Sequence, residues 1–243
     1  MIDLHCHILP GLDDGADTWE ESLAMAAMAA RHGIRHIVAT PHCTSGRARD
    51  VAESAAMLQG LLREEGIPVR LYPGMEIFGT YETARLLREG KLLTLNGSRY
   101  PLIEFAFHTD GEEETDILQS VIDAGFTPIV AHPERYSYVC RDPELINRWK
   151  RMGCLFQVNR GSLLGRYGYG AQQMGMALVH RGFASVVATD AHSAAVRTPR
   201  ARDVYELLFY SISPAAAETL MRRNPGLILG DKRLPPAQPD WFE

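Results

Sequence analysis

The chain is predicted to form one α/β domain of 243 residues, a distorted seven-stranded (β/α)7 barrel. Three observations predict it. Stretches rich in β-formers alternate with helical stretches in seven βα units of roughly thirty residues, the size of a barrel unit. Glycines mark the joins. A helix is expected to end at Gly33, Gly66, Gly90, Gly125, Gly153 or Gly182, with a β-rich run within a few residues. Metal-ligand side chains recur where the strands end, at one mouth of the barrel. An open doubly wound sheet would give the same alternation, but its outer strands would hold their ligands too far apart to share an ion.

The elements follow in order. The first strand, 2–4, runs into His5 and His7. Thr18 and Glu21 form a capping-box pattern, Leu23, Ala26, Ala27 and Ala30 make one small apolar face, and Gly33 ends the helix. Strand 34–40 is followed by His42, strand 69–74 by Glu76, strand 100–103 by Glu104 and strand 127–131 by His132. Asp142 caps a helix over 142–152, with Pro143 in its first turn. Strand 155–158 ends in a weaker candidate, Asn159, and strand 185–189 in Asp190 and His192. Helices near 199–210 and 214–223 follow without an eighth strand. The Pro-rich stretch 234–239 opens a surface tail, 234–243.

Composition narrows the function. Apolar residues make up 46% of the chain, enough for a substantial core. The net charge is −5 from 25 basic and 30 acidic residues, and no basic run is long enough to suggest nucleic acid. No apolar run is long enough to cross a membrane. The N-terminus enters a strand at once, so no signal peptide is expected. Cys6, Cys43, Cys140 and Cys154 show no paired spacing and read as cytosolic thiols.

The chemistry lies in the strand ends. The two-residue period of a strand puts His5 and His7 on one face, where both can bind one ion, and turns Cys6 away. An H-x-H pair alone is a weak signal. Asp13 and Asp14 follow in G-L-D-D-G, where turn formation by itself explains at least one of them. Glu76 and Glu104 end apolar strands, where a carboxylate is costly to bury unless paired or metal-bound. Asp190 and His192 repeat the two-residue spacing. Each residue has an ordinary explanation, but together those explanations require one accident on six of seven strands. Histidine with carboxylate and no thiolate suits Mn²⁺, Fe or Zn²⁺. About eight ligands are too many for one tetrahedral or octahedral ion. Two or three ions would use them all, activating a bridging water and clamping a phosphoryl oxygen.

Arg135 and Arg197 fall in loops at the same mouth, where a planar fork suits phosphate oxygens. His42-Cys43-Thr44-Ser45-Gly46-Arg47-Ala48-Arg49 also fits H-C-x-x-G-x-x-R, the signature of cysteine-dependent tyrosine phosphatases, with Cys43 as nucleophile and Arg49 on the phosphate. Asp50 stands where that signature has a hydroxyl residue. The cysteine mechanism also leaves the histidines and carboxylates of the other strands unexplained.

The opening M-I-D-L-H-C-H-I-L-P-G-L-D-D-G-A, G-M-E-I-F at Glu76, S-R-Y-P-L-I-E-F at Glu104, I-V-A-H-P-E-R-Y at His132 and A-T-D-A-H at Asp190 span nearly the whole chain. In combination they resemble the polymerase-and-histidinol-phosphatase (PHP) superfamily. More narrowly, they resemble its bacterial metal-dependent protein-tyrosine phosphatases of capsule and exopolysaccharide synthesis. The resemblance implies a TIM-barrel-like fold, a cytoplasmic location and a three-metal site, with manganese expected and iron or zinc as alternatives. It assigns His5, His7, Glu76 and Asp190 to the first ion and Glu76, Glu104 and His132 to the second. Asp14, His42 and His192 go to the third, and the choice of Asp14 over Asp13 comes from the resemblance alone. Arg135 and Arg197 match phosphate-contacting positions. The implied partner is a bacterial tyrosine kinase with a phosphorylated tail. A histidinol-phosphate type of small-molecule phosphatase opens differently from I-L-P-G-L-D-D-G, and a non-catalytic metal-binding module sits poorly with a complete ligand set. Cys6, where a small polar residue is commoner, and the glycine-rich loop 161–170 depart from the pattern. The loop bears on substrate preference.

Overall fold

The computed structural model describes residues 1–43 and 47–243. Its strands, in chain order, are β1 (Ile2–Cys6), β2 (His36–Ala39), β3 (His42–Cys43), β4 (Arg70–Pro73), β5 (Glu76–Phe78), β6 (Leu102–Glu104), β7 (Ile129–Ala131), β8 (Leu155–Asn159) and β9 (Val186–Ala188). The helices are α1 (Trp19–Arg31), α2 (Ala48–Glu64), α3 (Thr83–Arg88), α4 (Glu112–Asp123), α5 (Ser137–Arg141), α6 (Glu144–Met152), α7 (Arg160–Leu163), α8 (Tyr169–His180), α9 (Arg202–Ser211), α10 (Pro214–Glu218) and α11 (Asn224–Leu229). No helix among the described residues is long and apolar enough to cross a membrane.

Where seven strands in one barrel are expected, the described residues form nine strands of an α/β fold with parallel sheets. The strands form two parallel sheets, ordered β1-β2-β4 and β3-β5-β6-β7-β8-β9, and among the described residues neither closes on itself. Each of the seven expected strand regions contains a strand, but two are broken. Pro41 has no N–H to donate and separates β2 from β3. Gly74 separates β4 from β5 where a Cβ would lie 2.7 Å from Val38 Cγ1. At these two breaks the chain passes from the first sheet to the second. On the far side the sheets approach again. Cys6 bridges Ala191 in parallel, His7 N donates to Ala191 O at 2.8 Å and Asp190 N to His5 O at 2.9 Å. The buried carboxylate of Asp3 reinforces this seam, accepting from Thr189 N at 3.0 Å and from the Thr189 hydroxyl.

Local signals behave as their chemistry requires. Thr18 Oγ1 accepts from Glu21 N at 3.3 Å, and Glu21 Oε2 accepts from Asp17 N at 3.1 Å, one residue before the reciprocal bond of a standard capping box. Gly153 ends α6 at φ 105°, a left-handed conformation that costs glycine little. Helix α6 starts two residues later than expected, with Asp142 Oδ1 accepting from Glu144 N at 3.2 Å. Trp149 is fully buried between α6 and α4 and donates Nε1–H to Thr115 Oγ1 at 2.8 Å. The tail is fastened at its end. Phe242 stacks on Phe183 at 5.2 Å and trades two hydrogen bonds with Asn147.

Candidate metal centre

The ends of the strands and the loops beside them bring all nine expected ligand residues to one place, with His42 and Glu76 opening β3 and β5 directly after the breaks that follow β2 and β4 and Asp14 in the loop after β1. His5 and His7, fully buried, point Nε2 atoms to within 3.1 Å of one another. Glu76 Oε2 lies 3.0 Å from His5 Nε2, 3.2 Å from His7 Nε2 and 3.1 Å from His42 Nδ1. Asp190 Oδ1 stands 3.4 Å and 3.5 Å from the same two Nε2 atoms. Glu104 Oε1 is 2.7 Å from His42 Nδ1, and His132 Nε2 is 2.8 Å from Glu76 Oε1. Asp14 Oδ1 lies 3.5 Å from His42 Nε2 and 3.3 Å from His192 Nε2.

Three groups result, within each of which the ligand atoms lie within 4.8 Å of one another. They are His5, His7, Glu76 and Asp190; His42, Glu76 and Glu104; and His7, Asp14, His42 and His192. Glu76, His7 and His42 each belong to two groups. His132 stands beside the second through the other oxygen of Glu76. Two of the ligands rest on strained backbone. His132 has φ 34° and Asp190 φ 51°, left-handed values that cost a non-glycine residue about 1–3 kcal/mol. Those turns end β7 and β9 abruptly and aim both side chains across the mouth.

The site has an outer ring of support. His7 Nδ1 is 2.6 Å from Asp13 Oδ2, so Nδ1–H donates to the carboxylate and the neutral ring turns its Nε2 lone pair inward. Asp13 also accepts from His42 N at 2.8 Å and Gly15 N at 2.9 Å. Gly15 is required there, because a Cβ would lie 2.2 Å from His7 O. Adjacent Asp14 has a side chain 65% exposed and faces His42 and His192, so geometry separates two residues that sequence does not. On β8, Gln157 Oε1 pairs with His5 Nδ1 at 2.9 Å, Gln157 Nε2 donates to Asn159 Oδ1 at 2.7 Å, and Asn159 Nδ2 donates to Asp190 Oδ2 at 2.6 Å. The sixth expected strand therefore carries no member of the three groups. It holds two members by their far atoms. Gln157 was missed by sequence reasoning. Its signal was a polar residue two positions before Asn159 in an otherwise apolar strand, on the ligand face.

The charges are frozen into this array. Burial would raise the pKa of Glu76, but His5, His132 and His7 hold it well below the usual carboxylate value. Burial likewise opposes ionisation of Asp190, and His5, His7 and Arg197 depress it far below normal. Burial works against a charged His7, yet Asp13, Asp190 and Glu76 push its pKa well above the ordinary imidazole value. Burial and then His7 push His192 down to about 3. Glu76 Oε2, Asp190 Oδ1 and His192 Nε2 are buried and complete no well-aligned hydrogen bond among the described residues, although other candidate ligand atoms stand within 3.0–3.5 Å of them. Unpartnered buried acceptors are costly. Two carboxylate oxygens in one of the three groups and an imidazole nitrogen in another fit divalent cations of the Mn²⁺, Fe or Zn²⁺ kind.

Both expected arginines reach this array. Arg197 Nη2 is 2.5 Å and Arg135 Nη1 3.5 Å from Asp190 Oδ2, with side chains 29% and 21% exposed. The alternative cysteine loop falls partly outside the described residues, at Thr44, Ser45 and Gly46. Its arginine, Arg49, is 87% exposed on α2 and pairs with Glu53 at 2.6 Å. His108, in the loop after Glu104, is exposed and pairs with Ser137 Oγ at 3.0 Å.

Known proteins share this architecture. The chain is 37% identical over 235 residues to the tyrosine-protein phosphatase YwqE of Bacillus subtilis, covering 92% of each chain. It superposes with a TM-score of 0.90 and 33% identity, over the whole of both chains, on a crystal structure from work on YwqE of Bacillus subtilis and CpsB of Streptococcus pneumoniae, described there as unique metal-dependent tyrosine phosphatases. A lactonase from Listeria monocytogenes shares the fold alone, with a TM-score of 0.60 and 13% identity over 96% of this chain and 95% of that one. The family model for capsular polysaccharide synthesis, CpsB/CapC, matches residues 1–230. With that match extending from β1 past α11, the chain belongs to the CpsB/CapC family.

Proposed function

We propose that the chain is a metal-dependent phosphatase that hydrolyses phosphotyrosine in proteins. The observation that carries this reading is the set of three ligand groups sharing Glu76, His7 and His42, with two arginines at the rim. His5, His7, Glu76 and Asp190 would hold the first ion. Glu76, Glu104 and His132 would hold the second, with His42 alongside, and Asp14, His42 and His192 would hold the third, with His7 alongside. Manganese is the proposed ion, with iron or zinc as alternatives. Such ions activate water and offset negative charge on a phosphoryl oxygen.

The protein's own groups do the rest. Asp13 and Gln157 fix the rings of His7 and His5 by their Nδ1 atoms, so both Nε2 lone pairs face inward. Asn159 anchors Asp190 Oδ2 and leaves Oδ1 toward the histidines. Arg135 and Arg197 bind the non-bridging phosphoryl oxygens and carry part of the charge that develops there. Tyrosinate departs into the open mouth. We also propose that the two sheets act as one distorted seven-unit barrel split at Pro41 and Gly74, and that the protein works in the cytoplasm. Its partner is a bacterial tyrosine kinase of capsule or exopolysaccharide synthesis with a phosphorylated tail. The names of the similar proteins and the family's link to capsule synthesis support this substrate class.

The test compares turnover of a tyrosine-phosphorylated kinase tail, histidinol phosphate and p-nitrophenyl phosphate before and after chelation. Loss of all turnover on chelation, recovery with Mn²⁺ and a preference for the phosphotyrosine tail are expected. Full activity in a preparation shown to contain no metal overturns the metal reading. A preference for histidinol phosphate overturns the substrate.

A further inference from the structure

Arg135 makes no side-chain hydrogen bond to another described residue, and its one carboxylate contact among them is the 3.5 Å approach to Asp190. What orients it is aromatic. Its guanidinium carbon lies 4.6 Å from the Phe107 ring centroid and 4.4 Å from the Tyr167 ring centroid. Phe107 comes from the loop after β6 and Tyr167 from the loop between α7 and α8. A flexible arginine gripped by two rings loses most of its rotamers before a ligand arrives, and its fork keeps one aim. Phe107, Arg135 and Tyr167 line one cleft of about 410 Å³ with Glu134 and Cys140, a cleft that none of the nine candidate ligands lines, while the Arg135 fork reaches from it to within 3.5 Å of Asp190.

Tyr167 has a seat made for it. A Cβ on Gly161 would lie 2.5 Å from Tyr167 Cε2, 2.9 Å from Cζ and 3.1 Å from the hydroxyl. The ring therefore rests on bare backbone. Gly161 sits in α7 without a positive φ, so what glycine supplies is room rather than an unusual conformation. The floor is held rigid. Neighbouring Arg160 is buried and paired with the Asp203 carboxylate, and Arg166 N donates to Gly161 O at 2.8 Å, folding the loop back. The glycine-rich sequence of 161–170 thus places an aromatic ring against one arginine of the rim.

We infer that Tyr167 is a positioning residue for the phosphate clamp, acting through Arg135, and that Gly161 provides the space that lets it do so. The inference rests on the reading of the site as a phosphatase. Tyr167 touches no reacting atom. It keeps Arg135 aimed, so its loss weakens binding of a phosphoryl group wherever that group is carried, on substrate or as product.

The experiment uses the full chain loaded with Mn²⁺. It measures kcat/KM for p-nitrophenyl phosphate, affinity for inorganic phosphate by calorimetry, and metal content. Tyr167→Leu is expected to lower kcat/KM about tenfold and to weaken phosphate by a similar factor, the range of a desolvated cation–π contact, with metal content unchanged. Tyr167→Phe, which keeps the ring, recovers most of that loss. Gly161→Ala leaves the tyrosine in the sequence but takes its seat, and it is expected to match Tyr167→Leu. In an Arg135→Leu background, Tyr167→Leu adds no further loss. The inference is overturned if Tyr167→Leu equals the unmodified protein, if it costs as much without Arg135 as with it, or if its loss comes with loss of metal. If the unmodified protein hydrolyses no aryl phosphate at all, the phosphatase reading has failed, and this inference goes with it. That outcome is separate from an active protein indifferent to Tyr167.

Discussion

Asp13 and Asp14 stand side by side and face opposite ways, one turned in on His7 Nδ1 and the His42 amide, the other out toward His42 and His192. Both read alike in sequence, because a Gly-rich turn explains either. Orientation depends on the turn's conformation, which residue types do not encode. Asp13→Ala frees the His7 ring without removing a ligand atom. It is expected to weaken metal affinity by about 10–100-fold, the usual cost of losing a group that orients a ligand. Metal titration that finds Asp13→Ala equal to the unmodified protein would sink that role. The rival cysteine chemistry is decided nearby. Cys43→Ser should keep most of the activity, whereas His42→Ala, which removes atoms from two ligand groups, should abolish it. A dead Cys43→Ser with full metal content, beside activity that survives chelation, restores the thiol mechanism. Eight of the nine candidate ligands were legible because each is a His or carboxylate at or just past the end of an apolar run, whereas Asp14 came from the resemblance alone. Gln157 was not, since an amide inside a strand draws no attention until its partner is known.

At the scale of the elements, the seven strand regions were legible from their alternation with helices and their glycine stops. The division into two sheets was not. Pro41 and Gly74 carry the same signals that end any strand, and nothing in their residue type says that the chain resumes pairing two residues later with a different set of neighbours. The seam between β1 and the stretch after β9 was equally hidden, since it rests on residues 186 apart in sequence. There Asp3 is fully buried, and burial raises its pKa above 3.8, partly offset by Thr189 and His5. A carboxyl with a raised folded-state pKa contributes stability that is complete below the unfolded value and lost as pH rises through the folded one. Asp3→Asn cannot ionise. The difference in Tm between Asp3→Asn and the unmodified protein is therefore expected to shift in the variant's favour as pH climbs from below 4 toward neutrality. A difference that stays flat across that range would show that Asp3 keeps its ordinary pKa.

The whole molecule is organised around charges that no single segment could hold. Its candidate ligands run from His5 to His192, and all but Asp14, which lies in the loop after β1, stand at an end of a strand or within a few residues of one. Because the array exists only in the folded state, ions that bind it stabilise folding through linkage, by about 2.7 kcal/mol at a hundredfold excess over Kd. For a chain of this size that is worth roughly 5–10 °C in Tm. Adding a chelator to the loaded protein should lower its Tm by about that amount, and Mn²⁺ should restore it, as followed by calorimetry. An unchanged melt would mean the ions are held too weakly to matter to the fold. The seam at Asp3 and Thr189 also sets an order of events on the ribosome. β1 has one neighbour, β2, soon after it in the sequence, but its other neighbour is not made until the polypeptide has grown past Ala191. The site is therefore among the last parts of the nascent protein to be completed, and a chain stalled before β9 has neither Asp190 nor His192 with which to gather its ions.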